Sequence, residues 1–196
     1  MKSELLLVRH GETDWNVDGR YQGSTDRLLN DLGHRQAAAL AESMRGEEWD
    51  VIVSSPLQRA WHTALPIAEA IGIGSDLLIP DPRLMERSYG VAEGYTHTER
   101  AERFPGDTWD GLETYEDVQS RGMEALDEYI KRFPNQRLIM VAHGGWINSV
   151  LEVVSNGEYG PGKSVILNTS RTYLTYNSHG WEVDEINVAD HLGALV

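Results

Sequence analysis

Residues Leu5–Asn16 read LLLVRHGETDWN. Leu5 to Val8 are apolar, and Arg9, His10, Gly11 and Glu12 follow without transition. A continuous apolar run suits a strand buried on both faces, as in a parallel sheet, where side chains need not alternate. Arginine and histidine are groups that a folding chain ordinarily leaves in water. A strand ending in a polar loop is commonplace, so one such junction decides little. Recurrence decides more.

The junction recurs. Val51–Val53 runs into Ser54-Ser55-Pro56-Leu57-Gln58-Arg59, and Leu138–Val141 runs into Ala142-His143-Gly144-Gly145. Helical patterns lie between. Asn30–Gly46 places Leu32, Ala37, Leu40 and Met44 near one face and closes at Gly46. Ser54–Gly72 opens with Ser54 or Ser55 as N-cap and Pro56 in the first turn. Pro66 inside this pattern is expected to kink the helix or end its first part. Thr114–Phe133 offers Thr114 with Asp117 three residues on, then Val118, Gly122, Leu126, Tyr129, Ile130 and Phe133 at helical spacing. A further helix is expected over Gly145–Val154. The tail, Ser164–Val188, alternates around a turn at Asn177–Gly180 and reads as a strand hairpin. Alternating strands and helices predict an α/β fold: a three-layer α/β/α sandwich around a mostly parallel sheet, in one domain over residues 1–196. The segment Ala92–Gly111 lacks a period, and loops that long inside a compact domain are characteristically lids, so it is expected to sit over the site as a small cap.

The bulk composition narrows the partners. The 196 residues include 17 basic and 31 acidic side chains, a net charge of −14. That field repels nucleic acid and anionic membranes, and neither is expected as a partner. There is no cysteine, which excludes disulfides, thiolate metal sites and cysteine nucleophiles and fits a reducing compartment. The first apolar stretch is too short for a signal peptide, and no run reaches membrane-spanning length. A cytoplasmic protein is expected, with a homodimer as one compatible state. If it handles an anion, positive charge must be gathered in one place against the global field.

The strand ends supply that charge. In an open parallel sheet the carboxyl ends of the strands share one edge, where ligands bind in a crevice. Arg9, His10, Arg59 and His143 would therefore gather at one rim. Arginine forks match a tetrahedral oxyanion with paired, charge-assisted hydrogen bonds. Arg59 falls in the first turn of a predicted helix, whose free N–H groups would add to anion affinity. Gly11, Gly144 and Gly145 permit close approach of backbone to a ligand. A phosphate fits. The competing metal site, with His10, Glu12 and His143 as ligands, is the weaker reading, because two arginines in the same crevice repel a divalent cation and no compact ligand motif is present. A neutral imidazole beside a bound phosphate can attack phosphorus, and neighbouring guanidinium charges help keep it neutral. The leaving alkoxide needs a proton. Glu86, after the run Leu77–Ile79, can reach the same rim, with Glu12 and Glu93 as the other candidates.

With these residues in view, the chain resembles the histidine phosphatase superfamily, which includes the cofactor-dependent phosphoglycerate mutases. The resemblance is carried by VRHGETDWN (Val8–Asn16), SSPLQRA (Ser54–Ala60), RLMERSYGVAEG (Arg83–Gly94) and VAHGG (Val141–Gly145), with LNDLGHRQA and VILNTSRTYLT in support. It implies an α/β fold, no metal, and His10 as the phosphorylated nucleophile. It assigns Arg9, Arg59 and His143 to the phosphoryl group, Glu86 to the acid/base role, Asn16 to the phosphate shell, Gln22 and Gly23 to the approach, and Glu12 to structural support. Gly144 joins the phosphate-binding set through its backbone.

The resemblance leaves two reactions. Water accepts the phosphoryl group in a phosphatase, and a retained phosphoglycerate accepts it in a mutase, where 2,3-bisphosphoglycerate would serve as primer. Mutases of the family carry an adjacent pair of arginines for the substrate carboxylate, whereas this chain has only the separated Arg100 and Arg103. A metal-independent phosphomonoesterase of a small phosphorylated metabolite is therefore favoured. A module that binds phosphate without turning it over is the reading from another class, and a nucleophile with an acid opposite argues against it. Trp15, Trp61 and Trp146 are expected to pack, and His34, His62, His179 and His191 to be surface or satisfied histidines. His97, in the cap, is the one to test for substrate contact.

Overall fold

The computed structural model describes residues 2–195. The strands are β1 (Ser3–Arg9), β2 (Val51–Ser54), β3 (Leu78–Pro80), β4 (Arg137–Ala142), β5 (Arg171–Asn177) and β6 (Gly180–Val188). The helices are α1 (Asp14–Val17), α2 (Asp31–Ser43), α3 (Gln58–Ile71), α4 (His97–Arg103), α5 (Tyr115–Arg132) and α6 (Gly144–Val154). The strands form one sheet in the order β3-β2-β4-β1-β5-β6. The first four are mutually parallel, β5 is antiparallel to β1, and β6 returns antiparallel to β5. This is the expected α/β sandwich with an antiparallel edge.

Two cores explain the continuous apolar strands. Leu5, Leu7, Val51, Val53, Leu138 and Met140 pack with Val118, Leu126 and Val150 from α5 and α6. Leu6, Val8, Ile52, Ile139 and Val141 pack on the other face with Leu40, Ala64 and Ile67 from α2 and α3. Alternate residues of one strand thus serve opposite layers, and neither face can be polar. Because β1, β2 and β4 run parallel in register, Arg9, Ser54 and Ala142 lie close along one edge, and the residues after them enter one crevice.

Four local expectations are corrected. Neither Ser54 nor Ser55 caps α3: Ser54 ends β2, and Leu57 is the N-cap without a side-chain bond. The N–H of Gln58 at the start of α3 is taken by Asp26 Oδ1 at 2.8 Å, so this end offers no open anion site. Pro66 does not end the helix, which continues to Ile71 because Ala60, Ala64, Ile67 and Ala68 anchor both halves to the core. The segment 92–111 is not wholly irregular. It contains α4, closed by a capping box between Thr96 and Glu99, with no buried residue to reveal a period.

A glycine pair sets the position of the loop after β1. A Cβ on Gly11 would stand 2.6 Å from the Gly33 carbonyl oxygen, and one on Gly33 would land on the Glu12 carbonyl oxygen. An alanine in a helix ordinarily stabilises by about 1 kcal/mol over glycine. At Gly33 the sign should reverse: Gly33→Ala is expected to destabilise by about 1–3 kcal/mol in urea unfolding, because backbone must move apart.

Candidate active site

The end of β1 is pinned from two sides. Thr169 N–H donates to the Arg9 carbonyl at 2.9 Å, Asn168 Nδ2 donates to the His10 carbonyl at 2.9 Å, and His10 N–H donates to Ala142 O at 3.0 Å. His10 and His143, both buried, come together with ring centroids 5.1 Å apart. His10 Nδ1 lies 2.7 Å from its neighbour's carbonyl, Gly11 O. A carbonyl only accepts, so Nδ1 carries the proton and Nε2 keeps its lone pair. Arg59 Nε donates to His143 Nδ1 at 3.2 Å, and His143 Nε2 stands 2.8 Å from Ser55 Oγ. A guanidinium only donates, so the neutral His143 ring carries its proton on Nε2, toward Ser55.

Burial, and then the Arg59 and Arg9 charges, hold His10 well below the ordinary histidine value of 6.5. Burial first, then Arg59, with His10, Arg9 and Arg121 adding smaller effects, holds His143 well below the same value. Both rings are neutral at physiological pH. Arg59 is pulled down to about 10 by burial and remains charged. Its fork is fixed by the carbonyls of Gly23 at 2.7 Å and Thr25 at 2.9 Å. Gly23 adopts φ +55°, and a Cβ there would land on Glu93 Oε1, so glycine is required at this support. Arg9 NH1 donates to Ile166 O, while its buried Nε has no partner.

Glu86 arrives from the loop after β3 and caps α6 in place of a side chain at the N-cap, His143. Its Oε1 accepts from Trp146 N and Arg87 N, both at 2.9 Å, and its Oε2 accepts only from Gly145 N at 3.1 Å. A carboxylate is favoured at a helix N-terminus. A Cβ on Gly145 would stand 2.6 Å from Glu86 Oε1, so the close approach permitted by this glycine serves Glu86 rather than a ligand. Asn16 Oδ1 accepts from Thr13 N and Oγ1, both at 3.1 Å, leaving its Nδ2 as the free donor.

These groups meet at a cavity of about 460 Å³ whose walls include Arg9, His10, Asn16, Gln22, Arg59 and Glu86. Gly23 and Gly144 line it too, and so does His97 of α4. His143 does not; its ring is fully buried against Arg59 and Ser55. The other two acid candidates are engaged elsewhere. Glu12 Oε1 accepts from Asn30 Nδ2 at 2.9 Å, and Glu93 accepts from Ser24, Thr25 and Tyr89. The metal triad of His10, Glu12 and His143 is therefore not assembled. A larger groove of about 660 Å³ lies between α2 and α3 beside His34 and His62, with no guanidinium on its walls.

The chain belongs to the histidine phosphatase superfamily, whose branch 1 profile matches residues 5–189. It is 35% identical over 192 residues to the uncharacterized phosphatase PhoE of Bacillus subtilis, covering 98% of both chains. It is 34% identical over 206 residues to a metal-independent phosphoserine phosphatase of Arabidopsis thaliana, covering 98% of this chain and 84% of that one. Among solved structures it is similar to a mycobacterial glucosyl-3-phosphoglycerate phosphatase in complex with VO3, with a TM-score of 0.82 and 32% identity over 94% of this chain and 98% of that one.

Sequence reasoning missed Ser55, Tyr21, Tyr89 and Asn148. Ser55 stands one residue past a strand end, the position that flagged His10, but its hydroxyl was read as a cap. Trp146 packs in the core as expected, with Nε1 donating to Arg83 O at 2.7 Å. His191 is half-buried, and its Nδ1 has no partner.

The buried neutral histidines give a pH signature. Each binds a proton in the unfolded chain near pH 6.5 but not in the folded one, so stability is full above that value and falls with acidification. Between pH 7.0 and 5.5 each is expected to remove about 1.3 kcal/mol. Urea unfolding of His143→Gln should show a pH dependence shallower by about that amount than the wild type; an identical dependence would contradict the buried neutral ring.

Proposed function

We propose that this protein is a metal-independent phosphomonoesterase that hydrolyses a small phosphorylated metabolite through a phosphohistidine on His10. The observation that carries the reading is a buried His10 whose Nδ1 is engaged by Gly11 O, leaving Nε2 for the cavity that it shares with the Arg9 and Arg59 guanidinium groups. Relatives named phosphoserine phosphatase and glucosyl-3-phosphoglycerate phosphatase support hydrolysis of a small phosphate ester and leave the alcohol to be read from this chain's own cavity. No helix among the described residues is long and apolar enough to cross a membrane, and the reaction is assigned to the cytoplasm.

The phosphoryl oxygens bind Arg9, Arg59 and Asn16 Nδ2, with the Gly144 backbone and Gln22 beside them. His10 Nε2 attacks phosphorus, the P–O bond to the alcohol breaks, and Glu86 gives its proton to the leaving alkoxide. Water then attacks phosphorus and gives a proton back to Glu86. The P–N bond breaks, its electron pair returns to Nε2, and inorganic phosphate leaves. Charge on the transferring group is stabilised by guanidinium forks already held by carbonyls, so little reorganisation is needed. His143 orients Arg59 and supports the phosphoryl site from behind. The segment 92–111 acts as the lid, tied to the approach by the Tyr21 N–H on Tyr95 O at 3.0 Å and the Gly94 N–H on Tyr21 O at 2.8 Å. The mutase reading is disfavoured because Arg100 donates to Gly106 O and neither it nor Arg103 lines the cavity.

Hydrolysis of p-nitrophenyl phosphate should persist in excess EDTA and drop by about 10³-fold or more in His10→Ala. A label from ³²P-substrate should be stable in alkali, labile in acid and absent from that variant. Glu86→Gln should cost about 10²–10⁴-fold on an alkyl phosphate but much less on p-nitrophenyl phosphate, whose leaving group needs little protonation. Equal penalties on both esters would remove Glu86 from the acid role.

A further inference from the structure

The inner end of the cavity accounts for the phosphoryl group, and the outer end selects the alcohol that carries it. A substrate with a carboxylate near its phosphate needs a cation there. The cavity's arginines are Arg9 and Arg59, which share its wall with His10, and Arg20. Arg20 is already engaged: it meets Asp18 at 3.2 Å and Glu99 at 3.4 Å and donates to Gly94 O at 2.8 Å. That corner therefore holds two carboxylates against one guanidinium. The other cations nearby in sequence turn elsewhere. Arg100 lies over the Trp109 ring and Arg103 over the Tyr95 ring, both at 4.9 Å. Lys163 Nζ donates to Gly157 O at 2.7 Å.

The rest of the outer wall offers rings and aliphatic surface beside the neutral polar side chains of Asn148 and Ser164. Tyr21 packs on Tyr89 with centroids 4.6 Å apart and on His97 at 4.5 Å, and its hydroxyl stands 2.8 Å from His97 Nδ1. Val165 lines the same cavity although it is 75% exposed, next to Ile166. An exposed valine at the mouth of a charged pocket gains by covering apolar substrate, and aromatic faces do the same. A second carboxylate would meet in Arg20 a guanidinium already shared by Asp18 and Glu99, and otherwise only neutral donors, too little to repay the water it loses.

We propose that the substrate is a phosphomonoester of an uncharged alcohol with an aromatic or aliphatic body, packed on Tyr21 and Val165, and that esters carrying a carboxylate beside the phosphate are disfavoured. This inference rests on the phosphomonoesterase reading above.

The test is kcat/KM of the full-length protein on three alkyl phosphates: 2-phenylethyl phosphate, glycerol 3-phosphate and 3-phosphoglycerate. The last two differ chiefly in a hydroxymethyl group against a carboxylate. The expected order is that of naming, with about tenfold or more between first and last. Val165→Arg, at an exposed position, should narrow that gap by about fivefold by supplying the missing cation. Turnover of 3-phosphoglycerate as fast as 2-phenylethyl phosphate by the wild type overturns the proposal, and an unchanged ratio in Val165→Arg overturns the placement of the alcohol on Val165. Hydrolysis of none of the three, or hydrolysis that survives His10→Ala, overturns the phosphomonoesterase reading beneath it.

Discussion

Two guanidinium groups without carboxylate ion-pair partners, Arg59 fully buried and Arg9 half-buried, govern this site. Among the described residues neither Arg9 nor Arg59 forms an ion pair; both are held by main-chain carbonyls. Carbonyl dipoles fix a fork in space but do not cancel its charge. That charge, offset only at longer range by carboxylates such as Glu86, has two effects at once. It depresses the proton affinity of His10 and His143, and it creates a demand for an anion that the rest of a strongly acidic chain cannot supply without an ion pair. A bound phosphoryl group answers that demand. The two charges that bind the substrate therefore also add to burial in keeping the nucleophile neutral.

Holding such charges requires backbone that cannot drift, and the fold supplies it by close main-chain contacts. Gly11 and Gly33 press the loop after β1 against α2, Asn168 and Thr169 grip the carbonyls of His10 and Arg9, and Gly23 carries the oxygen that fixes Arg59. Glycine in these motifs answers mainly to protein neighbours. At Gly145 the neighbour is Glu86, whose carboxylate occupies the start of α6 where an anion would otherwise bind. The proposed proton donor is thus aligned by the same N–H groups that orient the helix bearing the second histidine.

The parts of this arrangement that depend on strand ends were legible from the residues alone. Continuous apolar runs at Leu5, Val51 and Leu138 reveal parallel strands buried on both faces, and parallel strands put their next residues together whatever lies between. Three features escaped that logic. The α4 helix is seven residues long and buries nothing, so it leaves no periodic trace. Ser55 looks like a cap because serine before a helix commonly is one, and only the third dimension shows His143 competing for its hydroxyl. The outer wall combines Tyr21, Tyr89, His97 and Val165 from segments that no local pattern relates.

That difference reflects two kinds of constraint. Phosphoryl chemistry needs fixed charges at fixed distances, and regular structure encodes those in short motifs at strand ends. Choosing an alcohol needs only a surface of the right polarity, which any loop near the mouth can supply. Here the loops supply rings and a valine, and they commit the one nearby arginine, Arg20, to Asp18 and Glu99. Chemistry and selectivity are separable in this molecule at the level of side chains: the connections that carry the wall also hold Arg59 through the Gly23 and Thr25 carbonyls and Arg9 through that of Ile166, but Tyr21 and Val165 can be exchanged without moving those carbonyls.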